Sequence, residues 1–465
     1  MKITEIAVFG LFELFDHVIP LHWETGATII VGPNGFGKTT MLRLVAALSR
    51  FDLFFLAMTP FARLRITYDA GEVLEVRRSA ETAPYADPNR PAAVEDDDPE
   101  PEIEAGKGVR VQFVHYRQDR EVRKWDPVLP DLSGVAGVSL ISRLLPELQE
   151  RGHNSWYDRR TDETLSVQQV IRRYRTELAA RYGGGSASGF SRIPRWLLTL
   201  VQDLNVRYLE TRHLEHPTGL AGWLAFAAGE SVPAVALAAE DLGKRLRLIR
   251  SERDRWAEEL DRSYPARYLQ RLQQPPYPLD EISRRLQDLE ANWERLDRAG
   301  MLPLPTPPAE ALPLQLPAAA QAALSLYLDD EASKQRIMAE VLENVELLLQ
   351  LMNRRLLFKT LQIDCEQGFS VYSQAGKPIP LAGLSSGEQH QLLLFYELLF
   401  RIPQDAVVMI DEPELSLHIA WQREFLADVR SIAVDKGFHV LIATHSYSIV
   451  DDNWEMTVEL AGEAD

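Results

Sequence analysis

Short β-branched runs and longer helical stripes alternate along this chain and divide it into three parts. Residues 3 to 31 read as strands ending in the apolar run ATIIV, which leads into the glycine-rich GPNGFGKTT and then the helical MLRLVAALSRF. Residues 61 to 80 and GVRVQFVHY at 108 to 116 continue the strand pattern, and NVRYLETRHLEH resumes it at residue 205. From about residue 235 to 358 the rhythm becomes helical. Leu242, Leu246, Ile249, Trp256 and Leu260 make one stripe, and beyond QQPPYPL a second runs through Ile282, Leu286, Leu289, Trp293 and Leu296. After the proline-rich MLPLPTPPAEALPLQLP, a third carries Ile337, Val341, Val345, Leu348 and Met352. These stripes predict a short antiparallel bundle.

Strands return from residue 359 with FKTLQID and FSVYS. The helical LLLFYELLF follows, and then come DAVVMIDE and GFHVLIATHS, two apolar runs with polar tips that suit the C-terminal edge of a parallel sheet. The expected divisions are therefore 1–234, 235–358 and 359–465. Two stretches carry little apolar pattern: the acidic, proline-rich ADPNRPAAVEDDDPEPEIEAG reads as a surface loop, and RYGGGSASGFSR at 181 to 192 as a Gly/Ser connector.

Composition narrows the picture. With 465 residues, 46% of them hydrophobic, the chain can bury a large core. Its net charge of -18 argues against a generally basic nucleic-acid-binding surface. Cys365 is the single cysteine, so neither an internal disulfide nor a cysteine-built metal site is available. No run reaches the roughly eighteen apolar residues of a membrane span, and MKITEIAVFGLFELFDHVIPL has acids within its apolar run, unlike a signal peptide. A soluble, cytoplasmic chain is expected.

The chemistry concentrates at the strand ends. Gly32 to Thr39 fits G-x-x-x-x-G-K-[ST] between a strand and a helix. In such a loop Gly32, Asn34, Gly35 and Gly37 let backbone N–H groups surround phosphates, Lys38 reaches the β- and γ-phosphates, and the Thr39 hydroxyl takes Mg²⁺. Thr40 is placed to bond an α-phosphate. AVVMIDE, at 406 to 412, ends a buried strand in two carboxylates, which an apolar strand avoids unless a cation or a reacting water sits at its tip. Asp411 then serves Mg²⁺, directly or through water, and Glu412 orients and deprotonates the attacking water. In VLIATHS, His445 falls where it can bond a γ-phosphate or that water. LSSGE, at Leu384 to Glu388, is a polar loop with small residues ahead of an apolar helix.

Together these residues resemble the ABC-type ATPase head: Walker A at Gly32 to Thr39, signature loop at Leu384 to Glu388, Walker B at Val407 to Asp411, then Glu412 and the switch histidine His445. The resemblance implies an α/β fold, an ABC-type P-loop NTPase head formed by 1–234 and 359–465 with an inserted helical, coiled-coil-like subdomain at 235–358. It implies ATP and Mg²⁺ as cofactors. It also implies head-to-tail dimers, in which Ser385, Ser386, Gly387 and Glu388 of one copy close on the nucleotide of another, helped by the helix dipole.

Within that class, DEPELSLHIAWQ, LSSGEQHQLLLFYELLF and ATHSYSIVDDNWEMTVEL are similar to phrases of the overcoming-lysogenization-defect and AAA15-type ATPases of bacterial defence, and among them to the ATPase subunits of PARIS anti-phage systems. That resemblance implies an ATP-dependent sensor and scaffold. Its partners would be further copies of itself in a higher homo-oligomer such as a hexamer, a separate Toprim-type nuclease held inactive, and a phage-encoded protein trigger. With the chain ending at Asp465, any nuclease is expected from a partner. One departure concerns the glutamine that such heads carry in a lid loop: Gln118, or the segment Glu210, Thr211, Arg212 and His213, stands in its place.

A second reading is a RecF-like ATPase of DNA repair or chromosomes that clamps a duplex. RRYR at 172 to 175 and GKRLRLIRSERDR at 243 to 255 offer the basic residues for it, although Glu252 and Asp254 dilute the latter. A transporter subunit fits poorly, because the stretch between Lys38 and Ser385 exceeds what a transporter head needs.

Overall fold

The computed structural model describes residues 1–81, 108–127, 148–150, 155–158, 160, 163–166, 173, 193–210, 234–303, 316–417 and 419–460. The acidic segment, the Gly/Ser connector, most of RRYR and residues 211–213 lie outside them. The fold class is α/β, with a run of long helices set between two groups of strands. The described chain separates into two compact units, Met1–Leu209 with Pro403–Pro413 and Ala433–Asp465, and Glu210–Ile402 with Glu414–Ile432. The LSSGE helix thus groups with the helical stretch rather than with the P-loop strands.

In the first unit, β1 (Ile3–Leu11), β2 (Phe15–Pro20), β4 (Arg63–Tyr68), β5 (Glu72–Glu81), β6 (Gly108–Arg117) and β7 (Arg120–Trp125) form an antiparallel sheet in the order β2-β1-β4-β5-β6-β7. The second sheet has the order β11-β15-β16-β3-β17, from β3 (Ala27–Val31), β11 (Val206–Glu210), β15 (Val407–Asp411), β16 (His439–Ala443) and β17 (Thr457–Glu459). Strands β15, β16, β3 and β17 run parallel, and every residue of β15 and β16 is buried, as expected for a sheet covered on both faces. Helix α1 (Lys38–Ser49) places Met41, Leu42, Leu44 and Val45 in a core cluster to which both sheets contribute. Burial of four such side chains contributes on the order of 1.5–3 kcal/mol each before chain entropy is subtracted. A smaller antiparallel sheet joins β8 (Leu148–Glu150), β9 (Ser155–Asp158) and β10 (Glu163–Ser166). Helices α2 (Leu53–Met58) and α3 (Arg195–Asp203) complete the described part of this unit that precedes β11.

The second unit is built on α4 (Ala234–Arg271), α5 (Leu279–Arg298) and α6 (Ala318–Arg355), followed by the hairpin sheet β12 (Lys359–Asp364), β13 (Gly368–Ser373) and β14 (Pro378–Ile379). Then comes α7 (Ser386–Phe400), and beyond β15 lies α8 (Ile419–Lys436). The stripes deliver part of what they promised. Leu242, Leu246, Ile282, Leu289 and Leu296 are buried, but Trp256 is 39% exposed and its indole N–H instead donates to Ser333 Oγ at 2.9 Å. In α6 the buried face is displaced by one residue at its middle: Met338 and Leu342 are in the core, and Ile337 and Val341 are only half-buried. Polar crosslinks fix that register. Arg267 of α4 bonds Asp330 of α6 at 2.8 Å, and Arg295 of α5 bonds Glu346 of α6 at 2.6 and 2.9 Å. Paired guanidinium and carboxylate groups hold helix register by geometry even where their net stabilisation is small. Among the described residues no helix is long and apolar enough to cross a membrane.

Buried His439 opens β16; its Nε2 lies 2.9 Å from the Thr28 hydroxyl and its ring leans on Trp23. Burial, with a smaller contribution from nearby His22, lowers its pKa from 6.5 to about 4. The unfolded chain therefore binds this proton more readily than the folded one. Between about pH 6.5 and about pH 4 the fold should lose about 1.4 kcal/mol per pH unit as pH falls, and below that window no more from this group. Urea titrations across that range should reveal this slope in the wild type and a shallower one in His439→Gln.

Candidate functional site

Register brings the site together. Asp411 pairs with Ala443, and Ala443 with Ile30, so β15, β16 and β3 end within one residue of each other, and the residues that follow each strand meet at one edge. Backbone bonds extend the alignment past the strands, with Thr444 N–H donating to the Ile30 carbonyl at 3.1 Å and Glu412 N–H to the Ala443 carbonyl at 2.8 Å. Ligands collect at this edge in open parallel sheets because helices start there and loops are free to vary.

The loop after β3 turns through Gly35 (φ +91°) and Gly37 (φ +81°), a left-handed region that other residues enter at a cost. At Gly37 the fit is also steric, since a Cβ there would lie 2.4 Å from Leu11 Cδ2. Two side chains that the sequence reading missed hold the loop from below. Buried His17 donates from Nε2 to the Phe36 carbonyl at 2.8 Å, and Phe15 stacks on Phe36 with ring centroids 5.0 Å apart. No motif marks either residue; only the β1–β2 hairpin brings them under the loop.

Lys38 is 5% exposed and donates to the carbonyls of Gly32 (2.6 Å) and Pro33 (3.1 Å) and to His445 Nδ1 (3.2 Å). An ammonium gives protons and takes none, so Nδ1 is the bare nitrogen of His445, and Nε2 carries the hydrogen that faces Glu412 Oε1 at 3.9 Å. Thr39 Oγ1 donates to Asp411 Oδ1 at 3.1 Å, and Tyr208 donates from its hydroxyl to Asp411 Oδ2, also at 3.1 Å. Burial raises the Asp411 pKa; the hydrogen bonds from Thr39 and Tyr208 oppose that shift, and the neighbouring Glu412 charge adds to it. Glu412 itself sits at φ +46°, a strained conformation for a side-chain-bearing residue. Asn34 is exposed, and Thr40, the third residue of α1, is half-buried.

Mg²⁺ fits this donor set. Octahedral Mg²⁺ with oxygens at about 2.05 Å needs neighbouring ligands about 2.9 Å apart, and Thr39 Oγ1 and Asp411 Oδ1 stand 3.1 Å apart. Among the described residues no group of three or more His, Cys, Asp and Glu gathers. A hard cation that takes most of its oxygens from phosphate and water suits so sparse a protein contribution. The loop, with the α1 N-terminus behind it and Lys38 beside it, suits the phosphates of a nucleotide.

In the second unit, Ser385 caps α7 in a capping box. Its hydroxyl accepts from Glu388 N–H at 3.3 Å, and Glu388 Oε2 accepts from Ser385 N–H at 2.8 Å. The Ser385 hydroxyl also donates to Glu388 Oε2 at 2.9 Å, and Lys359 donates to both carboxylate oxygens at 2.8 and 2.9 Å. Burial alone would raise the Glu388 pKa, but the bonds from Lys359 and Ser385 outweigh it and hold the carboxyl below the usual range. Glu388 thus shapes the loop from inside, whereas Ser385 and Ser386 are exposed and Gly387 half-buried. Gln118 lies at the exposed tip of the β6–β7 hairpin, where it and Asp119 both have positive φ. Glu210 ends β11.

Residues 229–451, slightly less than half of the chain, match the family model described as AAA domain, putative AbiEii toxin, Type IV TA system. The matched stretch spans LSSGE, Asp411, Glu412 and His445 and leaves the Gly32 to Thr39 loop outside it. Over that stretch the chain is similar to AAA-type ATPases. No curated protein matches it. Among solved structures, it is similar to the Smc head domain with an extended coiled coil bound to the C-terminal domain of ScpA, derived from Pyrococcus furiosus, at 10% identity and a TM-score of 0.33, covering 97% of this chain and 91% of that one. A second, the SmcHead bound to the C-winged helix domain of ScpA, has 10% identity, the same coverage and a TM-score of 0.30.

Gly37→Ala should cost nucleotide binding at least about tenfold, because the added methyl meets Leu11 and the turn loses its conformation. Isothermal titration with ATP compares it with the wild type; far-ultraviolet circular dichroism should show the fold intact.

Proposed function

We propose that the protein is an ATP-binding and slowly hydrolysing scaffold of a bacterial anti-phage defence system, which oligomerises and controls a separate effector of the Toprim nuclease type. The observation that carries the ATPase part is the meeting of Lys38, Thr39, Asp411, Glu412 and His445 at one sheet edge. The defence part rests on the similarity of its motif phrases to PARIS-type ATPases.

Lys38 exchanges its carbonyl and imidazole partners for β- and γ-phosphate oxygens, since a charged oxygen is the stronger acceptor. Thr39 and Asp411 would hold Mg²⁺, which would supply positive charge to neutralise that developing on the transferred phosphoryl group. Glu412 takes the proton of the attacking water, and the released His445 turns its Nε2–H toward the γ-phosphate or that water. In a head-to-tail dimer, Ser385 of a second copy gives its hydroxyl proton to a phosphate oxygen instead of Glu388, while Lys359 keeps Glu388 in place. Further copies, the nuclease and a phage-encoded protein trigger complete the proposed assembly.

The DNA-clamping alternative finds less support in the α4 base. Lys244 pairs with Glu240, Arg245 with Asp241 and Arg253 with Asp254, and Arg247 donates to the Cys365 and Glu366 carbonyls, so these cations already have partners within the chain.

Glu412→Gln should keep ATP binding while turnover falls about a hundredfold or more, whereas Lys38→Ala should lose both. Phosphate release and equilibrium binding measured on the three proteins decide this, and unchanged turnover in Glu412→Gln would remove the assigned base. Light scattering of the protein co-expressed with its neighbouring gene, with and without ATP and Mg²⁺, should show a large assembly that retains a nuclease. An ATP-induced dimer without a partner, coupled to salt-sensitive DNA binding, would favour the clamp.

A further inference from the structure

We propose that Tyr208 is a positioning residue for the catalytic cation: its hydroxyl pins one oxygen of Asp411 so that the other stays beside Thr39, aimed at the metal. The proposal rests on the ATP- and Mg²⁺-binding reading above. Tyr208 lies in β11, the neighbour of β15 in the sheet, and the two are tied where Val407 N–H donates to the Asn205 carbonyl at 2.8 Å. Three residues further along β11, the Tyr208 ring packs partly buried against the core, with its hydroxyl 3.1 Å from Asp411 Oδ2.

The two oxygens of Asp411 are therefore unlike. Oδ2 accepts from a phenol fixed by a packed ring, and Oδ1 faces Thr39 Oγ1 at nearly the spacing that neighbouring Mg²⁺ ligands require. A carboxylate free to rotate about its terminal torsion would spread these oxygens over a broad, roughly two-fold well. The hydrogen bond narrows that well before the cation arrives, so less ordering remains to be done on binding. A phenol is suited to this place because its donor sits at the end of a rigid ring.

Tyr208→Phe deletes the hydroxyl and keeps the ring. Mn²⁺ serves as the probe, with its binding measured by electron paramagnetic resonance in the presence of a non-hydrolysable ATP analogue, next to metal-free binding of the analogue by titration. Metal-free affinity is expected to stay within about twofold of wild type, because Asp411 does not touch the nucleotide then. The Mn²⁺ dissociation constant is expected to rise roughly ten- to a hundredfold, the usual cost of removing such a partner of a metal ligand. Unchanged Mn²⁺ affinity and spectrum in Tyr208→Phe, with Asp411→Asn weakened, would overturn the proposal and leave Tyr208 as packing. If the wild type binds no Mn²⁺ with the analogue, the underlying nucleotide reading fails and this one with it. Circular dichroism melting of the variant controls for a loss of fold.

Discussion

The parallel pairing of β15, β16 and β3 is the constraint on which the site depends. Each strand contributes apolar residues to a sheet covered on both faces, so each must change character where it leaves the core. Because Asp411, Ala443 and Ile30 stand level, the three changes of character coincide. A one-residue slip would send side chains to the opposite face and part Thr39 from Asp411. The apolar packing of α1 between the sheets enforces this register, and the polar chemistry is a consequence of it.

At the edge, charge is stored in mutual satisfaction. Lys38 is nearly buried and held by two carbonyls and an imidazole, and Asp411 by two hydroxyls, so neither ion is left without partners in a poorly hydrated place. The carbonyl bonds of Lys38 are exchangeable, because a charged phosphate oxygen is a stronger acceptor than a carbonyl. The strained backbone of Glu412, tied by its N–H to β16, fits the same pattern of local strain maintained by surrounding structure.

The second unit relies on a different kind of polar network. Asp241 of α4 accepts from Tyr396 of α7 and pairs with Arg401, and Arg355 at the end of α6 pairs with Asp428 of α8 while lying over Phe395 of α7. These bonds tie the helices on either side of the LSSGE loop into one body, and Lys359 adds the link from β12 to Glu388. Short helical stripes do not specify such an arrangement by apolar contact alone, which is why guanidinium–carboxylate pairs recur along it.

Much of the site was legible in residue order because its chemistry is local. A phosphate loop needs its glycines, lysine and threonine within a few positions, and a buried strand ending in Asp411 and Glu412 announces itself by its cost. The parallel edge and the three long helices were legible for the same reason, as periodicity and strand-end polarity are properties of short windows. What only the tertiary structure decided involves residues far apart in the chain. His17 under Phe36, Tyr208 on Asp411, Lys359 on Glu388 and the displaced face of α6 at Met338 and Leu342 have no local signature. A side chain's partner across a sheet is set by register and packing, which depend on the whole core at once. Sequence determined which groups could do chemistry; the fold determined which of them hold the others still.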